Sequence, residues 1–159
     1  MDIYLVVVRL IHIVAAILWV GTGFYITVIL LPSVIDAGDV GSQFMKTMGK
    51  NRLFTMIFPV SAVLTVLAGI LLYIKPGASS HFSNAGWGIL SVGALFGILA
   101  AGHGGAVLGR MTGQYMQKLN SGAPSAELTA LAEKITRHAN ISLILMVVAM
   151  IGMEVARYI

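Results

Sequence analysis

Apolar positions dominate four stretches of the chain, at about 4–31, 53–74, 86–109 and 138–158. Each matches or exceeds the roughly 20 residues that a helix needs to cross a bilayer, so the pattern predicts an all-α, four-helix membrane bundle in one domain. The first stretch stops at Pro32-Ser33 and the second at Lys75-Pro76-Gly77, both breaking signals. The first is too long for the apolar region of a secretory signal and lacks a clear small-x-small cleavage site, so it is expected to be an uncleaved helix. Between the first two stretches lies a polar connector with Phe44, Met45 and Met48 on an amphipathic turn. The longest connector is broken at Asn120-Ser121-Gly122-Ala123-Pro124, but apolar residues keep helical spacing on both sides: Met111, Tyr115 and Leu119 before it, Leu128, Leu131 and Ile135 after it. The last two helices are therefore expected to project beyond the bilayer.

Composition supports the same class. Of 159 residues, 58% are hydrophobic and 10% charged, against about 25% charged in soluble domains. The absence of cysteine removes disulfides, thiolate metal sites, iron–sulfur clusters and covalent haem attachment. The net charge of +4 calls for no nucleic acid. Instead it sets orientation: the first and third connectors carry Lys46, Lys50, Arg52, Arg110, Lys118, Lys134 and Arg137, and the opposite side only Arg9, Lys75 and Arg157. The positive-inside rule then puts both termini outside the cytoplasm, in a multi-pass protein of the inner (plasma) membrane. Tyr4, Tyr73, Trp87 and Tyr158 fall at the expected outer boundary as an aromatic belt.

Ionisable residues within a span are costly and so point to function. His12 lies in the first helix, His103 in the third, and His138 opens the fourth. Arg9, His12, Ala16, Trp19 and Gly23 share a face by helical spacing and are expected to point into the bundle. A rise of about 1.5 Å per residue in a hydrocarbon core of about 30 Å separates His12 and His103 by roughly 9 Å in height. With helices about 9 Å apart, their Cα atoms stand about 13 Å from each other, a span suited to two imidazoles on the faces of one haem. His138 and Met150 are alternative ligands, Met150 lying near the depth of His12. Arg9 either reaches the headgroups or pairs with a haem propionate.

Glycines crowd the third helix, including Gly102-His103-Gly104-Gly105 and Gly-x-x-x-Gly pairs. They suit close helix packing, or clearance for a flat macrocycle. The ordinary reading of His81 is a loop residue, of His138 beside Arg137 a solvated one, and of the methionines core or lipid-facing filler.

The run His12-Ile13-Val14-Ala15-Ala16-Ile17-Leu18-Trp19-Val20-Gly21-Thr22-Gly23-Phe24-Tyr25 resembles the signature of the membrane protoporphyrinogen oxidase (HemJ-type) family and of copper-resistance D-like domains. Trp87 to His103 is similar to that family's third helix, and Arg137-His138-Ala139-Asn140 to its fourth-helix entry. The resemblance implies a b-type haem with His12 as a ligand. It also implies a lysine near Ser91, yet no Lys or Arg occurs between Lys75 and Arg110, which demotes the oxidase activity.

The expected function is therefore a b-haem redox or electron-transfer protein, with His12 and His103 on the iron, Arg9 and Trp19 beside the haem, and a quinone or membrane protein as redox partner. His138, Arg137 and Asn140 are expected to form a polar cluster at the inner face. A protoporphyrinogen oxidase would place Arg137 and Asn140 near its substrate. Copper handling would use Met45, Met48, Met111 and Met116. A cofactor-free accessory subunit, paired as a homodimer through its glycines, completes the alternatives.

Overall fold

The computed structural model describes residues 2–75 and 77–159. Among these, four helices are long and apolar enough to cross a membrane, as expected of a multi-pass membrane protein, and there is no strand. They are α1 (Ile3–Asp36), α3 (Arg52–Tyr73), α4 (Asn84–Asn120) and α5 (Ser125–Val155), with the short α2 (Gly38–Met48) between the first two. Side-chain oxygens open three of the long helices. Asp2 accepts from the Leu5 amide, Asn51 from those of Leu53 and Phe54, and Ser83 from that of Gly86, satisfying amides that have no partner inside the helix.

Two helix ends differ from expectation. Pro32-Ser33 does not stop α1, which runs on to Asp36. The turn before the proline, Tyr25–Leu30, is wound with i→i+5 hydrogen bonds; this wider turn takes up the ring and the missing amide that would break a regular helix. The polar stop after α3 is realised at Tyr73, one turn before Gly77, while Pro76 lies outside the described residues. Helices α4 and α5 do continue past the apolar stretches, to Asn120 and from Ser125. Gly122, at φ 75°, makes the bend between them.

The bundle consists of two tightly packed pairs, α1 with α3 and α4 with α5. Glycine explains the second. A Cβ on Gly86 would lie 2.6 Å from the Ala156 carbonyl oxygen, and one on Gly93 would lie 3.0 Å from both the Ala149 oxygen and the Met153 amide. Only hydrogen lets the two backbones approach so closely. At mid-height the pairs meet around Trp19, Ala100 and Met146. At one end α2, the end of α1 and the extended parts of α4 and α5 enclose a larger core of Leu30, Val34, Met45, Tyr115, Leu128 and Ile135. Lys118, Glu127, Glu133, Lys134 and Arg137 decorate that region, so it is the basic end. Both termini lie at the other end, tied down by Lys75 on Asp2 at 2.5 Å and by the Ser83 hydroxyl on the Ile159 carbonyl at 2.9 Å.

The inward face of α1 is shifted from the expected one. The buried stripe is Val8, Ala15, Trp19 and Gly23, with His12 and Ala16 half-buried and Arg9 exposed. An α-helix drifts about 20° per seven residues, so a stripe drawn through Trp19 and Gly23 has turned away from Arg9 by the start of the helix.

Candidate functional site

Two separate histidine centres emerge. His103 sits on α4 immediately before a second i→i+5 turn, Gly104–Leu108. Across from it, His138 and Ser142 are four residues apart on α5 and so share a face. The Nδ1 atom of His103 lies 2.7 Å from the Ser142 hydroxyl oxygen, and its Nε2 lies 3.2 Å from Nδ1 of His138. The two rings are tilted by 35° with centroids 5.3 Å apart. A Cβ on either Gly102 or Gly105 would meet nothing within 4 Å, so these glycines leave open space beside His103. Both nitrogens of His103 are engaged, and a single proton serves the gap between the two imidazoles.

His12 belongs to the other helix pair. Its Nδ1 lies 2.8 Å from the main-chain carbonyl oxygen of Thr65 on α3. A carbonyl only accepts, so Nδ1 carries the proton and donates, and in the neutral ring Nε2 is left as the lone-pair nitrogen. Gly69, one turn further along α3, admits the ring: a Cβ there would sit 3.0 Å from His12 Cε1. Among the described residues Nε2 of His12 has no hydrogen-bond partner. Two turns along α1, Trp19 is buried with its indole nitrogen also unpartnered.

The expected site residues therefore divide. The structure brings His103 and His138 together, and gives His12 a partner on α3 in place of His103. Arg9 is exposed and makes no ion pair among the described residues. Arg137 and Asn140 flank His138 in sequence but face outward, Asn140 donating back to the Thr136 carbonyl at 3.0 Å. The polar cluster expected from the three thus reduces to His138, because neighbours on a helix point about 100° apart. Met150 points away from the bundle, 51% exposed, whereas Met146, one turn earlier, is 2% exposed against Trp19. His81 is an exposed loop residue.

Sequence reasoning missed Thr65 and Ser142. The signal for Ser142 was available as a hydroxyl at i+4 from His138 inside an apolar run. The Thr65 contact uses a main-chain carbonyl and leaves no trace in side-chain type. Of the expected aromatic belt, Tyr73 and Trp87 come together at the end of the bundle that holds the termini. Tyr73 stacks on Trp87 with centroids 4.7 Å apart, and its hydroxyl lies 2.8 Å from that of Ser91. Where the family resemblance implies a lysine, the chain thus carries a neutral hydroxyl pair. Nearby, the shallow groove of Ala85, Gly88, Val92, Gly93, Val148 and Ile151 is wholly apolar.

No family model, no curated protein and no solved structure matches the chain. Its chemistry has to be judged from the two centres themselves. Among the described residues no three His, Asp or Glu side chains converge as a protein-only metal site. A metal-bound imidazole is held by a hydrogen bond from one nitrogen while the other takes the metal. His12 has that form, with Nδ1 fixed by a carbonyl and Nε2 free. His103, bonded at both nitrogens, does not.

Proposed function

We propose that the chain is an integral membrane protein that binds b-type haem and serves in electron transfer. The observation that carries this reading is the His12 ring, anchored through Nδ1 on the Thr65 carbonyl with Nε2 unpartnered. His12 would hold the iron, and the haem would supply reversible one-electron chemistry. The chain's own contribution is to fix the ring's tautomer and direction, to leave room at Gly69, and to keep the surroundings apolar. The orphaned indole N–H of Trp19 lies on the same side of α1 and supports an additional polar group between the helix pairs. The lysine and arginine distribution favours the plasma membrane with the basic end in the cytoplasm and both termini outside. A quinone or a membrane redox protein is the partner class that suits such a carrier.

The test is an absorption spectrum of detergent-purified protein, air-oxidised and then dithionite-reduced. A sharp Soret band that shifts on reduction, with resolved visible bands, is expected. His12→Ala should abolish it, and His103→Ala should retain it. A flat visible spectrum from protein expressed with ample haem overturns the reading and brings copper handling and the cofactor-free accessory subunit forward.

A further inference from the structure

The His103 centre has an arrangement that the haem reading does not use. Its three polar side chains form a line from α5 to α4 and back: His138 Nδ1, the two His103 ring nitrogens, Ser142 Oγ. His138 is partly exposed at the basic end, and its Nε2 has no hydrogen-bond partner among the described residues. Ser142, by contrast, is 3% exposed, within the apolar part of α5. The line therefore leads from a reachable ring nitrogen to a buried hydroxyl.

We infer that His138 and His103 form a proton relay, which takes a proton from the basic end and holds it on His103 within the span. Before uptake both rings are neutral. His103 donates from Nδ1 to the Ser142 oxygen, while its Nε2 accepts from Nδ1–H of His138, and the lone pair of His138 lies on the open Nε2. A proton arriving at that Nε2 makes His138 an imidazolium. Its Nδ1 proton then crosses to His103 Nε2 over the 3.2 Å gap. His138 is left neutral with its proton on Nε2, and His103 becomes the imidazolium. One proton enters, one N–H bond forms at His138, one breaks there and one forms at His103.

Acceptors await both N–H groups of the charged ring: the Ser142 oxygen at 2.7 Å, and the lone pair just exposed on His138. His103 is half-buried, and a charge there costs less when its hydrogen bonds are complete. Neither protonation state leaves a His103 nitrogen without a partner, which is what a reversible store requires.

Other charges do not take over this role. The charged or titratable side chains on the packed elements are Tyr4, Arg9, His12, Tyr25 and Asp36 on α1, Arg52 and Tyr73 on α3, and Arg110, Tyr115 and Lys118 on α4. On α5, Glu133, Lys134 and Arg137 lie within five residues of His138, all exposed. None forms an ion pair or hydrogen bond with either ring among the described residues. Among the described residues, the hydrogen-bonded line consists of the two imidazoles and the serine.

The relay stands without the haem and is tested on the intact protein in detergent, with histidine ring nitrogens labelled with nitrogen-15. Acidifying from about pH 8 to about pH 5, the imidazole range, should add one proton to the pair. Both His103 nitrogens should become protonated, while His138 exchanges its proton from Nδ1 to Nε2. The relay is overturned if the rings take up two protons independently, or if the charge stays on His138. In His138→Gln, exchange of the His103 ring protons with water should slow severalfold, because the amide can hydrogen-bond to Nε2 but cannot carry a proton onward. Unchanged exchange in folded His138→Gln would mean that His103 reaches water directly, and would overturn the relay as well. Should that variant fail to fold, the wild-type titration alone decides. Loss of the haem spectrum would leave both readouts intact, so the two readings fail separately.

Discussion

The Nε2 atom of His103 and the Nδ1 atom of His138, on different helices, lie 3.2 Å apart and share one hydrogen bond. This bond and the one to Ser142 are polar contacts across the α4–α5 interface, which Lys118 and Glu127 pair across again at its basic end. Replacing His138 by Ala strands a half-buried ring nitrogen, which costs about 1–3 kcal/mol. Unfolding of the purified variant in detergent should show a loss of that size. Gln, which offers both a donor and an acceptor, should recover part of it.

The α4–α5 interface itself depends on three glycines. The carbonyl of Ala156 leaves no space for a methyl on Gly86, and Gly93 lies with its Cα 3.0 Å from where a Cβ of Gly152 would stand. Gly86→Ala should destabilise the protein by about 1–3 kcal/mol, the usual cost of overpacking. Gly88→Ala, whose Cβ meets nothing within 4 Å, should be neutral or slightly stabilising, because alanine is the better helix former. Equal effects at Gly86 and Gly88 in a thermal unfolding series would contradict the assigned packing.

Much of this fold was legible in the sequence because apolar length and helical spacing report on burial in lipid. The four helices, their extension to Asn120 and from Ser125, and the amphipathic α2 all follow from that pattern. The continuation of α1 past Pro32 did not, since a widened turn leaves no mark in residue type. The site was less legible. Spacing placed His12 and Trp19 on the inner side of α1, but it could not say which helix stood opposite. A depth estimate treats the four helices as equal neighbours, whereas the bundle is two pairs. His12 therefore met α3, and His103 met α5. Arg137, Asn140 and Met150 were grouped with the histidines by proximity in sequence or depth, and Arg9 by a face drawn at helical spacing; their actual direction around the helix axis sends all four outward.

The start of α1 is joined to the loop after α3 by an ion pair that responds to pH. Lys75 holds the Asp2 carboxyl below its ordinary value of 3.8, chiefly by a direct hydrogen bond, with the Leu5 amide adding to it. The sign is that of a depressed carboxylate. Its contribution is present above the ordinary value and is lost as pH falls through the lowered one. Asp2→Asn keeps a helix cap but loses the charge, so wild type should be the more stable near neutrality. The difference should close below the carboxylate range, and because the pair is exposed it should be smaller than the effect of Gly86→Ala. Melting curves of both proteins across that range would check it; a gap that widens on acidification would reverse the assignment.

Trp19 gives the sharpest separation between a bundle with and without a bound group. The ring is 4% exposed, packed between Ala100 and Met146, and its N–H has no partner. A buried donor left unpaired costs about 1–3 kcal/mol, and buried tryptophans normally meet an acceptor. Trp19→Phe removes the donor and keeps most of the apolar contact. If the indole stays unpaired in the working protein, the substitution should leave stability unchanged or raise it, the relief offsetting the small cavity. If the indole pairs with a bound haem, the cofactor-free protein should behave in the same way, but haem retention should fall by about tenfold, as expected for losing one hydrogen bond. Measuring unfolding and haem content on the same preparations separates the two. The proposed site expects lower haem content with undiminished cofactor-free stability, and equal haem content in wild type and variant would place Trp19 outside it.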